Sequence, residues 1–347
     1  MANDFSLLSL GWQTFFQQQL TLEEWGVLNP ARVMEQHRGS VEVRDAHGLH
    51  TLPLLQSMPG LTVGDWVLLT GDAQFVRALE RKSIFKRKAA GSKLAEQLIA
   101  ANVDTAFIVS SLNEDFNLNR IERFLSVAHQ AGSEAVLILS KLDLCPEADA
   151  LREQAQRLDS RLCVEAVNCL RQSSVAALAP WCRPGQTIVV IGSSGAGKST
   201  LSNALLGTAV QDTGSIREDD AKGRHTTTRR SLLLMPSGGL ILDTPGMREL
   251  QLADCEEGVA ATFADIEELA TRCRFGDCSH DSEPGCAVRQ AIEAERLDER
   301  RLRSYRKLAR EQAMNAASLA QRRASFRKQG RYYKRVISET KQIKRGE

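Results

Sequence analysis

The chain has 347 residues, 42% of them apolar and 25% charged, and a formal net charge of +2. That length accommodates two or three domains with cores of their own, and the composition is that of a globular protein rather than a disordered or fibrous one. No run of about 18 apolar residues occurs, which argues against a membrane-spanning helix.

The opening stretch, MANDFSLLSLGWQTFFQQQL, lacks the basic flank and small-residue cleavage site of a secretory signal, so a cytoplasmic protein is expected. Its eight cysteines then read as thiols or metal ligands rather than a disulfide framework. The small net charge hides an asymmetry. From Arg301 to Glu347 there are 15 Lys and Arg against three Glu, a local charge of +12, so the first 300 residues carry −10. A basic tail of this kind predicts a polyanionic partner.

Residues 1–30 read as an N-terminal extension. Residues 31–88 hold short apolar runs (ARVMEQ, SVEVRD, HTLPLL, DWVLLT) broken by turn pairs such as Pro59-Gly60 and Gly64-Asp65. They predict a small β-barrel, with the oligonucleotide-binding and SH3-like types both fitting the pattern. The basic stretch Arg81–Lys88 reads as a linker or as a site for phosphate contacts. Across 89–252 the texture changes. DTAFIVSSL, EAVLILSKL and QTIVVIGSS resemble buried parallel strands, with amphipathic helices between them, and SLLLMP and GLILDTPG add two more strands. This alternation predicts an α/β domain.

Following β-like residues Thr187–Ile191, the run Gly192, Ser193, Ser194, Gly195, Ala196, Gly197, Lys198, Ser199 and Thr200 matches the phosphate-binding G-x-x-x-x-G-K-[ST] loop at the head of a helix. Backbone N–H groups and the positive helix end surround phosphates, Lys198 reaches the β and γ groups, and Ser199 binds Mg²⁺. Asp243-Thr-Pro-Gly246 ends a later strand in the manner of the D-x-x-G element, with Asp243 near the metal and Gly246 N–H at the γ phosphate.

The base reader lies upstream instead of downstream. Ser140-Lys141-Leu142-Asp143 follows the strand Ala135–Leu139 and resembles N-K-x-D, in which the carboxylate accepts two N–H bonds from guanine. Val164–Asn168 is the following strand and loop expected at the base. Ser replaces the usual Asn at position 140, which removes some bracing hydrogen bonds.

Between the phosphate loop and D-x-x-G lies Gly223-Arg-His-Thr-Thr-Thr-Arg-Arg230. Thr227 is the expected Mg²⁺ ligand there, with Thr226 and Thr228 as neighbours of the same type. Met247 stands where many GTPases place a water-positioning Gln, so intrinsic turnover is expected to be slow and His225 is the candidate to orient water.

Residues 253–347 read as a metal-binding and basic helical domain. Cys273, Cys278, His280 and Cys286 supply three thiolates and one imidazole, a closed ligand set suited to structural Zn²⁺; a disulfide or unrelated thiols is the competing reading. Beyond them, Phe326, Tyr332 and Tyr333 sit among Arg and Lys, as in proteins that stack on unpaired bases.

The order SKLD, GSSGAGKST, GRHTTT, DTPG and the Cys273–Cys286 knuckle, across about residues 30 to 290, resembles the RsgA (YjeQ) family of ribosome small subunit-dependent GTPases. The resemblance implies a multidomain chain. It has an N-terminal OB-like β-barrel, a central α/β P-loop GTPase domain with circularly permuted motifs, and a C-terminal mainly α zinc-binding domain. It further implies hydrolysis of GTP to GDP and phosphate during late small-subunit maturation, stimulated by that subunit, with its rRNA as partner. The expected protein is a monomer with no membrane partner. Two other readings fit the motifs: an RNA-binding protein that uses GTP as a structural ligand, and a P-loop ATPase or kinase with another substrate.

Overall fold

The computed structural model describes residues 6–88, 96–113, 115–207, 230–243 and 255–314. Five antiparallel strands open it: β1 (Asn29–Gln36), β2 (Ser40–Arg44), β3 (Leu49–Pro53), β4 (Trp66–Leu69) and β5 (Phe75–Ala78). Alternation of apolar and polar residues turns Val41 and Val43 of β2 inward and leaves Glu42 and Arg44 outside. β1 is central, pairing Val33 with Val43 on one side and Ala31 with Val67 on the other. The inward residues form one small core that includes Ala31, Val33, Val41, Val43, Leu52 and Val67.

From Ser6 onward the extension packs against the β-sheet. Its short helix α1 (Thr14–Gln17) seats Phe16 with Leu10 against Trp66, Leu68 and Leu79, and Trp12 meets Trp66 edge-on with centroids 4.9 Å apart. Arg32, only 1% exposed, ties three parts of the chain together. Its guanidinium donates to the carbonyls of Leu10, Gly64 and Asn102. Burial pulls its pKa down to about 10, so the cation persists at neutral pH.

Of the basic stretch Arg81–Lys88, expected as a linker or a site for phosphate contacts, the part from Ile84 onward is a strand. β6 (Ile84–Lys88) pairs antiparallel with β7 (Glu96–Ala101), a two-stranded sheet that spans the boundary expected at residue 88. Two cations just before it are already paired: Arg81 with Asp65 at 2.6 Å and Lys82 with Asp104 at 3.1 Å.

The α/β sheet contains β8 (Thr105–Ser111), β9 (Glu134–Ser140), β10 (Cys163–Ala166), β11 (Thr187–Gly192), β12 (Arg230–Leu234) and β13 (Leu240–Asp243). Their order is β10-β9-β8-β11-β13-β12, all parallel except β12. Central strands read as unbroken apolar runs because helices cover both faces. On one face lies α2 (Leu118–Ala131), capped by the Asn117 side chain and ended at left-handed Gly132; it buries Ile121, Leu125 and Ala128. On the other lie α4 (Gln172–Val175) and α5 (Lys198–Leu206), contributing Val175, Leu201 and Leu206. α3 (Ala148–Gln156) flanks β10. β1 of the barrel also pairs with β12, through Glu35–Ser231 and Gln36–Arg230, so the two sheets share one hydrogen-bonded network.

The C-terminal part is helical: α6 (Glu256–Thr262), α7 (Ala264–Ala270), α8 (Ala287–Glu293) and α9, residues 299–314 as described. α6 crosses α2 at Gly258, where a Cβ would stand 2.1 Å from the Ser126 carbonyl; only glycine permits that approach. Glu122 of α2, wholly buried, accepts from both Arg300 and Arg301, and Arg301 also bonds Asp265 and the Thr262 carbonyl. Among the described residues no helix is long and apolar enough to cross a membrane.

Candidate nucleotide site and metal centre

Because β8, β9, β11 and β13 run parallel, their C-terminal ends emerge at one edge of the sheet. In open α/β sheets that edge is where ligands bind. Register places Ser140 beside Ser111, Gly192 beside Val109, and Asp243 one step past the Leu242–Val189 pair.

The chain leaves β11 at Gly192, whose φ is +143° and whose Cβ, if present, would lie 2.2 Å from the Val109 carbonyl. Any side chain there would push the loop off the sheet. The loop then turns through Gly195 and Gly197 into α5. α5 starts without a side-chain N-cap bond, and a helix N-terminus of this kind suits an anion. Lys198 folds back over the loop and donates to the Ser193 carbonyl. From the neighbouring helix α2, Arg120 donates to Ser193 Oγ at 3.1 Å while paired with Asp115.

β9 ends at Ser140, and the chain turns sharply through Lys141, a non-glycine residue at φ +60°, into a single 3-10 turn, Leu142–Leu144. The decisive contact joins the two motifs. Ser140 Oγ donates to the Ala196 carbonyl of the phosphate loop at 2.6 Å. Elements 56 positions apart and in reversed sequence order thus meet directly. Beside Asp143 opens a cavity lined also by Leu142, Asn168, Arg171, Ser173 and Ser174. Its far wall is internally braced: Asn168 N–H donates to Ser174 Oγ, and Leu170 N–H to Asn168 Oδ1, both at 2.9 Å. Burial and the nearby Asp143 charge push the Cys169 thiol up to about 11, leaving it an inert thiol at neutral pH.

Of the expected residues 140–143 and 192–200, Ser140 and Ala196 are therefore in direct contact, and Asp243 ends β13, the strand next to β11. His225, Thr227 and Gly246 lie outside the described residues, as do Phe326, Tyr332 and Tyr333 of the basic tail. Sequence reasoning missed Arg120, Arg171, Ser173 and Ser174. Each reads as an ordinary surface polar residue until the fold sets it against a motif.

In the C-terminal part, the side chains of Cys273, Cys278, His280 and Cys286 converge with every pair of ligand atoms within 4.8 Å. Cys273 and Cys286 Sγ are 3.9 Å apart, and each lies 3.5 Å from His280 Nδ1. A tetrahedron with Zn–S near ~2.3 Å and Zn–N near ~2.0 Å has edges of about 3.8 and 3.5 Å, so the residues fit a metal of that size. A disulfide is excluded, since 3.9 Å is far beyond the ~2.05 Å of an S–S bond and all eight cysteines are free. His280 stands at φ +60° and Cys286 caps α8, its sulfur accepting the Arg289 N–H.

A family model described as RsgA GTPase matches residues 78–253. The chain belongs to the RsgA GTPase family. A protein of Vibrio parahaemolyticus named small ribosomal subunit biogenesis GTPase RsgA 2 is 57% identical over 333 residues, covering 96% of this chain and 93% of its own. The small ribosomal subunit biogenesis GTPase RsgA of Mesorhizobium japonicum is 46% identical, with 90% and 92% covered. Among solved structures, YjeQ from Thermotoga maritima aligns with a TM-score of 0.62 at 26% identity over 82% of this chain and 98% of that one. YloQ, titled a circularly permuted GTPase, aligns at 0.61 and 24% identity over 84% and 97%, and supports the fold. This chain has the same permuted layout: β9, which ends at Ser140, precedes the phosphate loop in sequence and contacts it in space.

Proposed function

We propose that this RsgA family member binds GTP with Mg²⁺ and hydrolyses it to GDP and phosphate while bound to the small ribosomal subunit late in that subunit's maturation. The observation that supports the reading is the Ser140–Ala196 hydrogen bond, which joins the segment that carries Asp143 to the phosphate loop. The names of the relatives supply the subunit as partner.

In this reading Asp143 accepts the N1–H and amino N–H of guanine, a donor pair adenine lacks. The residues from Gly192 to Thr200 hold the phosphates through backbone N–H groups, with Lys198 exchanging its Ser193 contact for phosphate oxygens. Ser199, Asp243 and Thr227 offer the oxygen ligands that Mg²⁺ prefers, and the metal's role is to neutralise charge on the β and γ phosphates. His225 aligns the attacking water in place of the absent Gln. The Cys273, Cys278, His280 and Cys286 set holds structural Zn²⁺. The barrel and the basic C-terminal tail bind rRNA, and the protein works in the cytoplasm as a monomer.

Phosphate release measured with and without purified small subunits tests this. Strong stimulation is expected. Tight GTP binding without turnover in either condition would instead favour an RNA-binding protein with GTP as a structural ligand.

A further inference from the structure

We propose that Ser140 acts solely as a tether for the phosphate loop and leaves the N7 atom of guanine unread, so that base recognition in this chain runs through Asp143 without a contact from position 140. The inference rests on the guanine reading above and specifies how the same site discriminates.

The argument is one of proton inventory. A serine hydroxyl carries one hydrogen and so can donate one hydrogen bond. Here that hydrogen goes to the Ala196 carbonyl at 2.6 Å, and Ser140 is completely buried, with its backbone carbonyl taken by the Leu112 N–H at 2.9 Å. What remains at Oγ is lone pairs. Guanine N7 is itself an acceptor and needs a donor, so Ser140 has nothing to offer it. The asparagine usual at this place in N-K-x-D has two amide hydrogens. One can hold the loop while the other faces the base.

Ser140 therefore keeps the half of the asparagine's work that positions the loop and drops the half that touches the ligand. Asp143, an acceptor when ionised, complements the N1–H and amino edge only. Ser140 is in this sense a positioning residue: its influence on affinity passes through the phosphate loop.

The test compares GTP with 7-deaza-GTP, in which N7 is replaced by C–H, by competitive displacement on the full-length protein with Mg²⁺. For Ser140→Ala, removal of the tether is expected to weaken both nucleotides by the same factor, about three- to tenfold for one net hydrogen bond. For Ser140→Asn, the ratio of 7-deaza-GTP to GTP dissociation constants is expected to rise several-fold over wild type, as a new donor becomes available to N7. If Ser140→Ala weakens GTP at least threefold more than 7-deaza-GTP, Ser140 reads N7 and the proposal is overturned. An unchanged ratio in Ser140→Asn equally overturns the claim that residue 140 sets this contact. Failure of the wild-type protein to prefer GTP over ATP would remove the guanine reading itself, a result distinct from either.

Discussion

Arg301 donates to Glu122 at 3.0 Å across 179 positions of sequence, inside the seam between the α/β domain and the helical C-terminal part. Neither side chain has appreciable access to water. Desolvating such charges is expensive, and the arrangement holds because Glu122 accepts from two guanidinium groups while Arg301 also bonds Asp265 and the Thr262 carbonyl.

Glu122→Gln should therefore destabilise the protein by about 2 kcal/mol, since the amide keeps one acceptor but gives up the charge-assisted bonds from Arg300 and Arg301, while Arg301 retains Asp265. Urea unfolding measures the loss, and limited proteolysis should cut between the α/β domain and α6 more readily in the variant. A change under about 0.5 kcal/mol, typical of surface substitutions, would contradict the seam's assigned role.

Asp143→Asn should exchange base preference. An amide oxygen and amide N–H fit the 2-oxo edge of xanthine, whereas two charge-assisted bonds to guanine are lost. GTP affinity is expected to fall about 100-fold, with xanthosine triphosphate binding in its place. Nucleotide displacement assays decide this, and equal loss of both ligands would show that Asp143 faces elsewhere.

Removing the metal should unfold the region around α7 and α8 first. Cys286 both caps α8 and lies in the large core shared with the α/β domain, so its release disrupts two structures together. Chelation is expected to lower the melting temperature. Cys273→Ser should do the same, and a chelator should have little further effect on that variant. Metal content per chain, measured in parallel, should be one in wild type and near zero in the variant.

Acidification should loosen the α2–α6 contact. Burial holds His129 below its ordinary pKa, and its Nδ1 lies 3.0 Å from Thr262 Oγ1. The neutral ring is thus favoured in the folded chain, while the unfolded chain takes up a proton near the ordinary value of about 6.5. Stability contributed by the neutral form is present above that pH and is lost progressively as pH falls through and below it. Thermal melts between pH 5 and 8 should show a weaker pH dependence for His129→Gln than for wild type.

Legibility differed by region, for physical reasons. The phosphate loop was readable because glycine, lysine and serine at fixed spacing do one job. The cluster of Cys273, Cys278, His280 and Cys286 was readable because soft donors cluster rarely by chance. Strands such as β9 and β11 announced themselves as unbroken apolar runs, the mark of a sheet covered on both faces. What stayed hidden depended on distant partners. Arg81 and Lys82 look like a phosphate-binding linker until Asp65 and Asp104 are found beside them. Arg32 gives no local sign that it will be buried among three carbonyls. Nor does Ser140 reveal, from sequence, that it retains a bond to the loop, so the bracing expected to be lost there is kept in part.

The pairing of β1 with β12 has a mechanical reach beyond the sheet. Arg230, the first residue of β12, lies opposite Gln36 of the barrel and bonds its side chain at 3.3 Å, immediately after the stretch that contains His225 and Thr227. A load on the barrel therefore reaches the start of β12 through the Glu35–Ser231 and Gln36–Arg230 pairs. If, as proposed above, rRNA binds the barrel and the γ phosphate draws in Thr227, the two ligands would share one coupling free energy, and whatever either gained from the other it would return in equal measure.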